Sequence, residues 1–349
     1  MMDLKKLVRK NILELKPYTS ARDQYQDGIL LDANENSFGS AADFMLENLN
    51  RYPDPQQKVL RKALSEYLKI EISKLMFGVG SDQIIDLVIR VFCEPGKSNV
   101  IIPSPTYGVF KVACNINDIE IQECELDSEF DIDVESIIQK INKRTKIIFL
   151  CSPNNPTGNS LNPKKILKLA EAFEGIIFID EAYIEFSSEK SFLNYLKHYN
   201  NIIISRTFSK AWGMAAVRCG YCIADDFIIG LLFKVKDPYS INKLTEKTII
   251  EALQKPWKKD ELVSNILREK DRLILELRTV GCVDYIYPTD ANFILAKIKN
   301  ADAVFNYLNQ KKIRVRIRKD NERIASCLRI TVGNKFENDF LIKTLKELN

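Results

Sequence analysis

Lys210 stands in a short polar segment that directly follows an apolar run of strand length. The run is Asn-Ile-Ile-Ile at 201–204, and hydroxyl side chains at Thr207 and Ser209 precede the lysine. An amine in this setting can condense with a carbonyl compound. The hydroxyls, together with Arg218 eight residues later, offer donors for a phosphate. A solvated loop with ordinary charges would contain the same residues, so other segments must decide between the two interpretations.

Two more apolar runs end in polar side chains. The run 147–151 leads to Asn155, and the run 176–179 leads to Asp180 and, three residues on, Tyr183. If the strands are parallel, their carboxyl ends lie at one edge of the sheet, where open α/β sheets bind ligands. Taken singly, Asp180 could cap a helix and Asn155 could be a turn residue. Three polar signals at successive strand ends favour a shared site.

These side chains match the polar atoms of pyridoxal 5'-phosphate. The Asp180 carboxylate could keep a pyridine nitrogen protonated, which makes the ring an acceptor of electrons. Asn155 and Tyr183 could each form a hydrogen bond to a phenolic oxygen, and Lys210 could hold the aldehyde carbon as a Schiff base. The residues therefore predict an enzyme that uses this cofactor.

A glycine-containing turn and a tyrosine add to the predicted site. Gly78 and Gly80 precede Ser81, Asp82 and a helical pattern, and the N-terminus of a helix suits a phosphate. The spacing differs from the dinucleotide fingerprint, and an ordinary turn capped by Ser81 is the alternative. Tyr107 follows an apolar run that ends in a proline turn, and its ring could stack on a cofactor or simply pack in the core.

Basic residues recur near the C-terminus. Lys312, Arg314, Arg316 and Arg318 alternate, which predicts one face of a strand and is typical of a charged edge strand. Arg329 differs because it lies within an apolar segment, so it should be partly buried and need an anionic partner. That partner could be the substrate.

The elements that must position these residues form an α/β fold. Short apolar runs alternate with helical patterns over 75–224, which predicts crossover connections and a mostly parallel sheet. The later residues read as long helices followed by strands, as in a smaller α+β domain. We predict an N-terminal arm and part of the small domain at 1–40, a large cofactor-binding domain at 41–245 and a C-terminal small domain at 246–349.

Composition limits the function classes. The 349 residues carry a net charge of +4, which gives no global signal for nucleic acid or a membrane surface. Eight cysteines, mostly in apolar segments, and the lack of a signal-peptide pattern predict a cytoplasmic protein with reduced thiols. Cys219 and Cys222 form a C-x-x-C pair that favours core packing over a metal site. His198 is the sole histidine, which argues against triads and multi-histidine metal centres.

Five segments together resemble one enzyme family. They are LDANEN at 31–36, RYPDP at 51–55, NNPTG at 154–158, SKA at 209–211 with Arg218, and CLRITVG at 327–333. In this order they resemble the histidinol-phosphate aminotransferases, which are fold-type I enzymes dependent on pyridoxal phosphate. The similarity extends from Lys16 to Gly333.

The resemblance implies a role for each matching residue. Lys210 would bind the cofactor covalently, Asp180 would meet its ring nitrogen, and Tyr107 would stack on the ring as a further catalytic residue. Asn155 and Tyr183 would hold the phenolic oxygen. The cofactor phosphate would be bound by Ser81, Asp82, Thr207, Ser209, Arg218 and, from the partner subunit, Tyr52. The substrate would be bound by Tyr18, Asn155, Arg316 and Arg329, where Arg314 or Arg318 could replace Arg316.

The implied activity is a transamination in histidine biosynthesis. The amino group would pass between L-glutamate with 2-oxoglutarate and L-histidinol phosphate with imidazole acetol phosphate, in a cytoplasmic homodimer without metal, nucleic-acid or membrane partners. Two alternatives on the same scaffold are an aromatic amino-acid aminotransferase and a decarboxylase of a phosphorylated amino acid. A non-catalytic protein that binds nucleic acid through the basic strand would need a broader basic face.

Overall fold

The computed structural model describes residues 1–17, 19–24, 32–33, 49–319 and 321–348. Its larger sheet has seven strands in the order β1-β7-β6-β5-β4-β2-β3, and β7 alone runs antiparallel to its two neighbours. The strands are β1 (Leu75–Val79), β2 (Asn99–Ser104), β3 (Glu120–Glu125), β4 (Thr145–Cys151), β5 (Ile176–Asp180), β6 (Ile202–Thr207) and β7 (Cys219–Ile223).

The smaller sheet has four antiparallel strands in the order β10-β11-β9-β8. They are β8 (Val283–Ile286), β9 (Phe293–Ile298), β10 (Arg316–Arg318) and β11 (Cys327–Thr331).

Helices cover the sheets and connect their strands. The described α-helices are α1 (Lys10–Leu13), α2 (Ala21–Gln24), α3 (Lys58–Leu68), α4 (Gly80–Phe92), α5 (Val109–Ile116), α6 (Val134–Lys140), α7 (Pro163–Ala172), α8 (Asp226–Val235), α9 (Lys243–Leu253), α10 (Pro256–Leu277), α11 (Ala301–Gln310) and α12 (Lys335–Lys346). Among them, no helix is long and apolar enough to span a membrane.

The apolar runs form strands because both faces of the large sheet are covered. Along β5, Ile177 and Ile179 belong to one core cluster, whereas Ile176 and Phe178 belong to the cluster on the opposite face. Side chains alternate between the faces of a strand, so a strand buried on both sides must be continuously apolar. A third cluster lies between the small sheet and α10, α11 and α12. The predicted mostly parallel α/β fold is confirmed.

Two details differ from the expectations. Lys312 and Arg314 do not share a strand face with Arg316, because Lys312 has a left-handed backbone (φ 61°) and β10 begins only at Arg316. For the arm predicted at 1–40, packing on the small domain or contact with a neighbouring subunit was expected, and among its described residues Leu4 and Ile12 belong to the core against the large sheet. Their apolar side chains pack among those of α4 and α8. The domain boundaries themselves stay a prediction.

All eight cysteines are free thiols, and seven of them are buried. Cys219 and Cys222 both lie in β7 with fully buried side chains. These thiols fill core volume between apolar neighbours, and burial raises the pKa of each of the two to about 12.

Candidate active site

The carboxyl ends of the parallel strands open into a cavity of about 480 Å³. It lies between this edge of the large sheet and the hairpin formed by β10 and β11. Twelve of the predicted site residues line it, namely Ser81, Asp82, Tyr107, Asn155, Asp180, Tyr183, Thr207, Ser209, Lys210, Arg218, Arg316 and Arg329. The wall also contains Arg318, which the sequence offered as an alternative to Arg316, and residues that were not predicted, among them Thr106 and Cys151.

Asp180 is a buried carboxylate with an unused acceptor. It ends β5, its side chain is 2% exposed, and its Oδ1 atom has no hydrogen-bond partner among the described residues. Burial, together with the negative charge of Asp82, raises the pKa of Asp180 to about 7. A buried carboxylate of this kind is costly unless a cationic or hydrogen-bond donor meets it. The carboxylate therefore fits a ligand that brings a proton on a ring nitrogen.

Lys210 brings an amine to the same cavity. It lies three residues beyond β6, with Nζ 5.6 Å from the centre of the Tyr183 ring. Burial lowers the pKa of Lys210, and the positive charge of Arg329 lowers it further. A lowered pKa increases the share of neutral amine, which is the form that attacks a carbonyl or accepts a proton.

Asn155 connects the ring of Tyr183 with an arginine from the small sheet. Its Nδ2 donates to the Tyr183 hydroxyl oxygen at 3.4 Å, and its Oδ1 accepts from Arg329 Nη1 at 2.6 Å. Arg329 also lies 5.3 Å from the centre of the Phe293 ring. We expected an anionic partner for Arg329, but its contacts here are an amide oxygen and a ring. Its remaining donors are suited to an anionic ligand in the cavity.

The first turn of α4 forms the opposite end of the cavity. Gly80 begins the helix with φ 72°, and its N–H donates to the carbonyl of Arg218 at 3.1 Å. A Cβ on Gly80 would come within 2.7 Å of Arg218 Nη2, and one on Gly220 within 2.5 Å of the Ser81 nitrogen. Only glycine allows β7 and the helix start to approach this closely. Helix N–H groups and a guanidinium thus converge where an anion would bind.

Tyr107 is tied to the same turn by a carboxylate. Its hydroxyl donates to Asp82 Oδ1 at 2.9 Å, and Asp82 Oδ2 lies 3.6 Å from Arg218 Nη2. Burial raises the pKa of Tyr107, as does the adjacent Asp82. The phenol is therefore neutral at physiological pH, and the hydrogen bond restrains its ring at the cavity wall.

Two hydroxyl residues complete the wall beside Lys210. Thr207 ends β6, and its Oγ1 donates to the carbonyl of Cys219 at 3.4 Å while accepting from the N–H of Ser209 at 3.1 Å. These bonds fix the backbone of the lysine loop. The hydroxyl of Ser209 faces the same cavity.

The hairpin brings two arginines into direct register. Arg316 in β10 pairs with Arg329 in β11, and Arg318 lies two residues along β10 on the same strand face as Arg316. Arg318 and Arg316 both line the cavity, whereas Arg314 donates through Nη1 to the carbonyl and side-chain oxygens of Asn309. Of the three candidate arginines, Arg314 is therefore not among the residues that line the cavity, and which of the others binds the substrate stays a prediction. Burial lowers the pKa of Arg329, and the two like charges add to this effect.

The structure does not place two of the predicted residues, Tyr52 and Tyr18, at this cavity. Tyr52 is 48% exposed, and its ring stacks on Tyr239 with centres 4.3 Å apart, outside the cavity of its own chain. Tyr18 lies outside the described residues. Their roles stay predictions.

Signals for the unpredicted wall residues were present in the sequence. Cys151 ends the same apolar run that leads to Asn155. Thr106 is adjacent to Tyr107, and its hydroxyl donates to Asn154 Oδ1 at 2.7 Å. These residues lie at the carboxyl ends of strands, where the sequence placed the site.

The donor set as a whole fits pyridoxal 5'-phosphate. The unused Asp180 oxygen suits a protonated ring nitrogen, the Asn155 and Tyr183 pair suits a phenolic oxygen, and the α4 turn with Arg218 suits a phosphate. Lys210 supplies the amine. The separate cluster of arginines leaves room for a second anionic group at the far end.

Comparison with known proteins agrees with this fold. The profile of the family described as aminotransferase class I and II matches residues 26–345. The chain belongs to this family of aminotransferases. Within it, the chain is 45% identical over 345 residues to the histidinol-phosphate aminotransferase of Cytophaga hutchinsonii, and the match covers 98% of both chains. The histidinol-phosphate aminotransferases are therefore the particular family to which this chain belongs.

Solved structures show the same architecture. The histidinol-phosphate aminotransferase from Clostridium acetobutylicum is 28% identical with a TM-score of 0.79, covering 86% of this chain and 91% of that one. The enzyme of the same name from Sinorhizobium meliloti, solved in complex with pyridoxal 5'-phosphate, is 21% identical with a TM-score of 0.79. That match covers 90% of this chain and 89% of the other and shows the shared fold.

Proposed function

We propose that the chain is a pyridoxal-phosphate-dependent aminotransferase that acts on L-histidinol phosphate. The amino group passes between L-histidinol phosphate with imidazole acetol phosphate and L-glutamate with 2-oxoglutarate, as a step of histidine biosynthesis. The observation that carries the proposal is the unused, buried oxygen of Asp180 in the cavity that also holds the amine of Lys210. The family membership given by the comparisons supports the choice of substrate.

One end of the cavity binds the phosphate of the cofactor. Ser81 and Asp82 hold the cofactor phosphate through backbone N–H groups, and Thr207, Ser209 and Arg218 assist through their side chains. The bound cofactor supplies an aldehyde that condenses with amines and a ring that accepts electrons from the neighbouring carbon.

The remaining residues would hold the cofactor ring and move the proton of the substrate. Asp180 would keep the ring nitrogen protonated, Asn155 and Tyr183 would hold the phenolic oxygen, and Tyr107 would pack against the ring. Lys210, whose pKa is lowered by burial, removes a proton from the α-carbon of the substrate. No histidine is needed as the base.

The arginine hairpin binds the anionic end of the substrate. Arg329 and Arg316 are cross-strand partners, so two guanidinium groups reach the same part of the cavity. A planar guanidinium can bind either a phosphate or a carboxylate through paired hydrogen bonds. The same cluster can therefore serve both half-reactions.

The substrate assignment is tested by comparing amino donors. The purified enzyme, loaded with cofactor, is assayed with histidinol phosphate, phenylalanine and threonine phosphate at matched concentrations. We expect the highest kcat/KM for histidinol phosphate and no release of carbon dioxide from threonine phosphate. Preference for phenylalanine would instead identify an aromatic aminotransferase, and carbon dioxide release would identify a decarboxylase.

Arg329→Lys is expected to weaken both half-reactions. Lysine keeps the charge but cannot form the paired contact, and a lost charge-assisted hydrogen bond costs about 1.5–3 kcal/mol, roughly ten- to a hundredfold in affinity. The measurement is the KM for glutamate and for histidinol phosphate in single half-reactions, followed by the cofactor absorption. Arg314→Lys is the matched control, because Arg314 contacts Asn309 rather than the cavity. Unchanged KM values in the Arg329 variant would place substrate binding elsewhere.

We further propose a cytoplasmic homodimer in which Tyr52 reaches the cofactor phosphate of the partner subunit. Tyr52 is exposed and lies outside the cavity of its own chain, which supports delivery across an interface. A hybrid of one Tyr52→Phe subunit and one Lys210→Ala subunit then has one intact site, made of Lys210 from the first chain and Tyr52 from the second. We expect this site to bind cofactor with wild-type affinity, whereas the Tyr52→Phe homodimer binds it several-fold more weakly.

The hybrid is compared with both homodimers after separation by differential tags. If Tyr52 acted within its own chain, the one lysine-containing site of the hybrid would show the weakened affinity of the Tyr52→Phe homodimer. A fully active monomer would contradict the shared site altogether.

A further inference from the structure

The connection between β10 and β11 is fastened to the large sheet by Arg323. Its Nη1 and Nη2 donate to the carbonyl oxygens of Leu126 and Asp127, just beyond the end of β3. The guanidinium also lies over the ring of Phe130, with its carbon 4.4 Å from the ring centre. The neighbouring Ile324 is fully buried in the core cluster that includes Leu126 and Phe130. We call Arg323, these two carbonyls and the Phe130 ring the Arg323 clamp.

The loop that receives Arg323 is itself held by internal bonds. Asp127 Oδ1 accepts from the N–H groups of Glu129 and Asp131, and Lys165 Nζ lies 2.9 Å from carboxylate oxygens of both Asp127 and Asp131. Phe130 has φ 59°, a conformation that directs the chain into a tight turn. Arg323 therefore binds a loop that is already held in one conformation. Such a loop can restrain the hairpin of β10 and β11.

Both sides of the clamp lead to the cavity through short stretches of chain. On the large-sheet side, the N–H of Leu126 donates to the carbonyl of Ser104 at 2.9 Å, three residues before Tyr107. On the small-sheet side, Arg323 lies in the connection whose two strands carry Arg316 and Arg329. A movement of this connection away from the loop would carry both substrate arginines away from Asn155.

We propose that Arg323 is a positioning residue for substrate binding, because the Arg323 clamp fixes the height of the arginine hairpin above the cofactor pocket. It does not touch the cavity and has no part in proton transfer. Its contribution is to hold Arg316 and Arg329 where one anionic group can contact both. This inference rests on the proposed function, since it takes the anionic end of the substrate as the ligand of the hairpin.

The test compares Arg323→Ala, Arg323→Lys and the wild-type holoenzyme in separate half-reactions. Arg323→Ala is expected to raise KM five- to thirtyfold for both glutamate and histidinol phosphate, with the maximal rate and cofactor Kd within about threefold of wild type. Arg323→Lys should restore part of the loss, because an ammonium can still contact one carbonyl and the face of Phe130. Arg323 is largely exposed, so its removal leaves no buried cavity to destabilise the fold.

Matched controls separate positioning from general damage. Arg278→Ala removes an exposed arginine at the end of α10 and should leave every constant unchanged. Phe130→Leu should raise KM less than Arg323→Ala, and the double variant should show less than the product of the two effects, because both changes act on one contact. Unchanged KM in Arg323→Ala would overturn the proposal. So would a lowered maximal rate or a weakened cofactor affinity without a KM change.

Glutamate keeps this inference distinct from the substrate assignment. If the wild-type enzyme does not react with histidinol phosphate, the proposed substrate is wrong. The clamp would then still be judged on the KM for glutamate, where a rise in Arg323→Ala supports it and an unchanged value overturns it.

Discussion

Lys210→Ala is expected to lower turnover by roughly 10⁴-fold or more, because in the proposed function this one side chain serves as both the covalent anchor and the base. Alanine removes the amine whose pKa is lowered in the cavity. The variant should also lose the long-wavelength absorption of the covalently held cofactor while keeping its phosphate contacts. The measurements are steady-state turnover and an absorption spectrum after removal of free cofactor.

A lysine on the surface provides the control. Lys190 is exposed, so Lys190→Ala should match the wild type in both measurements. Added methylamine offers a second check, since a small amine can replace the missing base in the cavity. Turnover near the wild-type level in Lys210→Ala, without added amine, would refute the cofactor assignment itself.

Asp180→Asn is expected to lower the rate by roughly 10²- to 10³-fold, the size of effect found when one preorganised electrostatic contact is removed. Asparagine has nearly the same shape as aspartate, so the cofactor should still bind to the variant, although more weakly. Its neutral amide cannot keep the ring nitrogen protonated. The rate of each half-reaction at saturating substrate measures this effect. A rate equal to that of the wild type would reduce Asp180 to a structural residue.

Asp180→Asn is expected to lower the rate but to raise the stability of the cofactor-free protein. Folding raises the pKa of Asp180 from 3.8 to about 7, so the folded state holds this proton more tightly than the unfolded state. The group therefore destabilises the fold increasingly as pH rises from about 4 to 7, by roughly 4 kcal/mol at most. Asp180→Asn should melt at a higher temperature than wild type above pH 7 and at a similar temperature near pH 4.

Cofactor addition should act against that difference. A protonated ring nitrogen stabilises the charged carboxylate, so the wild type should gain more in melting temperature than Asp180→Asn at pH 8. Melting curves with and without cofactor at pH 4, 6 and 8 measure both trends. An equal or larger gain in the variant would contradict the pairing of Asp180 with the ring.

The sequence predicted the parts of the site that follow from local pattern. Asn155, Asp180 and Lys210 each follow an apolar run, and parallel strands bring the ends of such runs to one edge. The choice among the C-terminal arginines could not be made in this way. Lys312 adopts a left-handed backbone, so the alternation does not extend to Arg314.

The role of Arg323 could not be predicted from the local sequence pattern for a different reason. Its partners lie almost two hundred positions away, at Leu126 and Asp127, and they are backbone carbonyls. No residue type marks a carbonyl acceptor in a sequence. The proposed role of Tyr52 is a related case, since a contact across a subunit interface would leave no trace in the pattern of a single chain.

The position of β7 between β1 and β6 has a consequence for the order in which the molecule is made. Synthesis proceeds from the N-terminus, and β1 with the first turn of α4 emerges from the ribosome long before β7. Until then β1 lacks its native sheet neighbour, and the glycine contact between β7 and the start of α4 is absent. Asp180 ends β5 and Lys210 follows β6, and these two strands can pair with each other earlier. The nascent chain therefore completes the end of the pocket that we propose for the phosphate after the segments that carry Asp180 and Lys210.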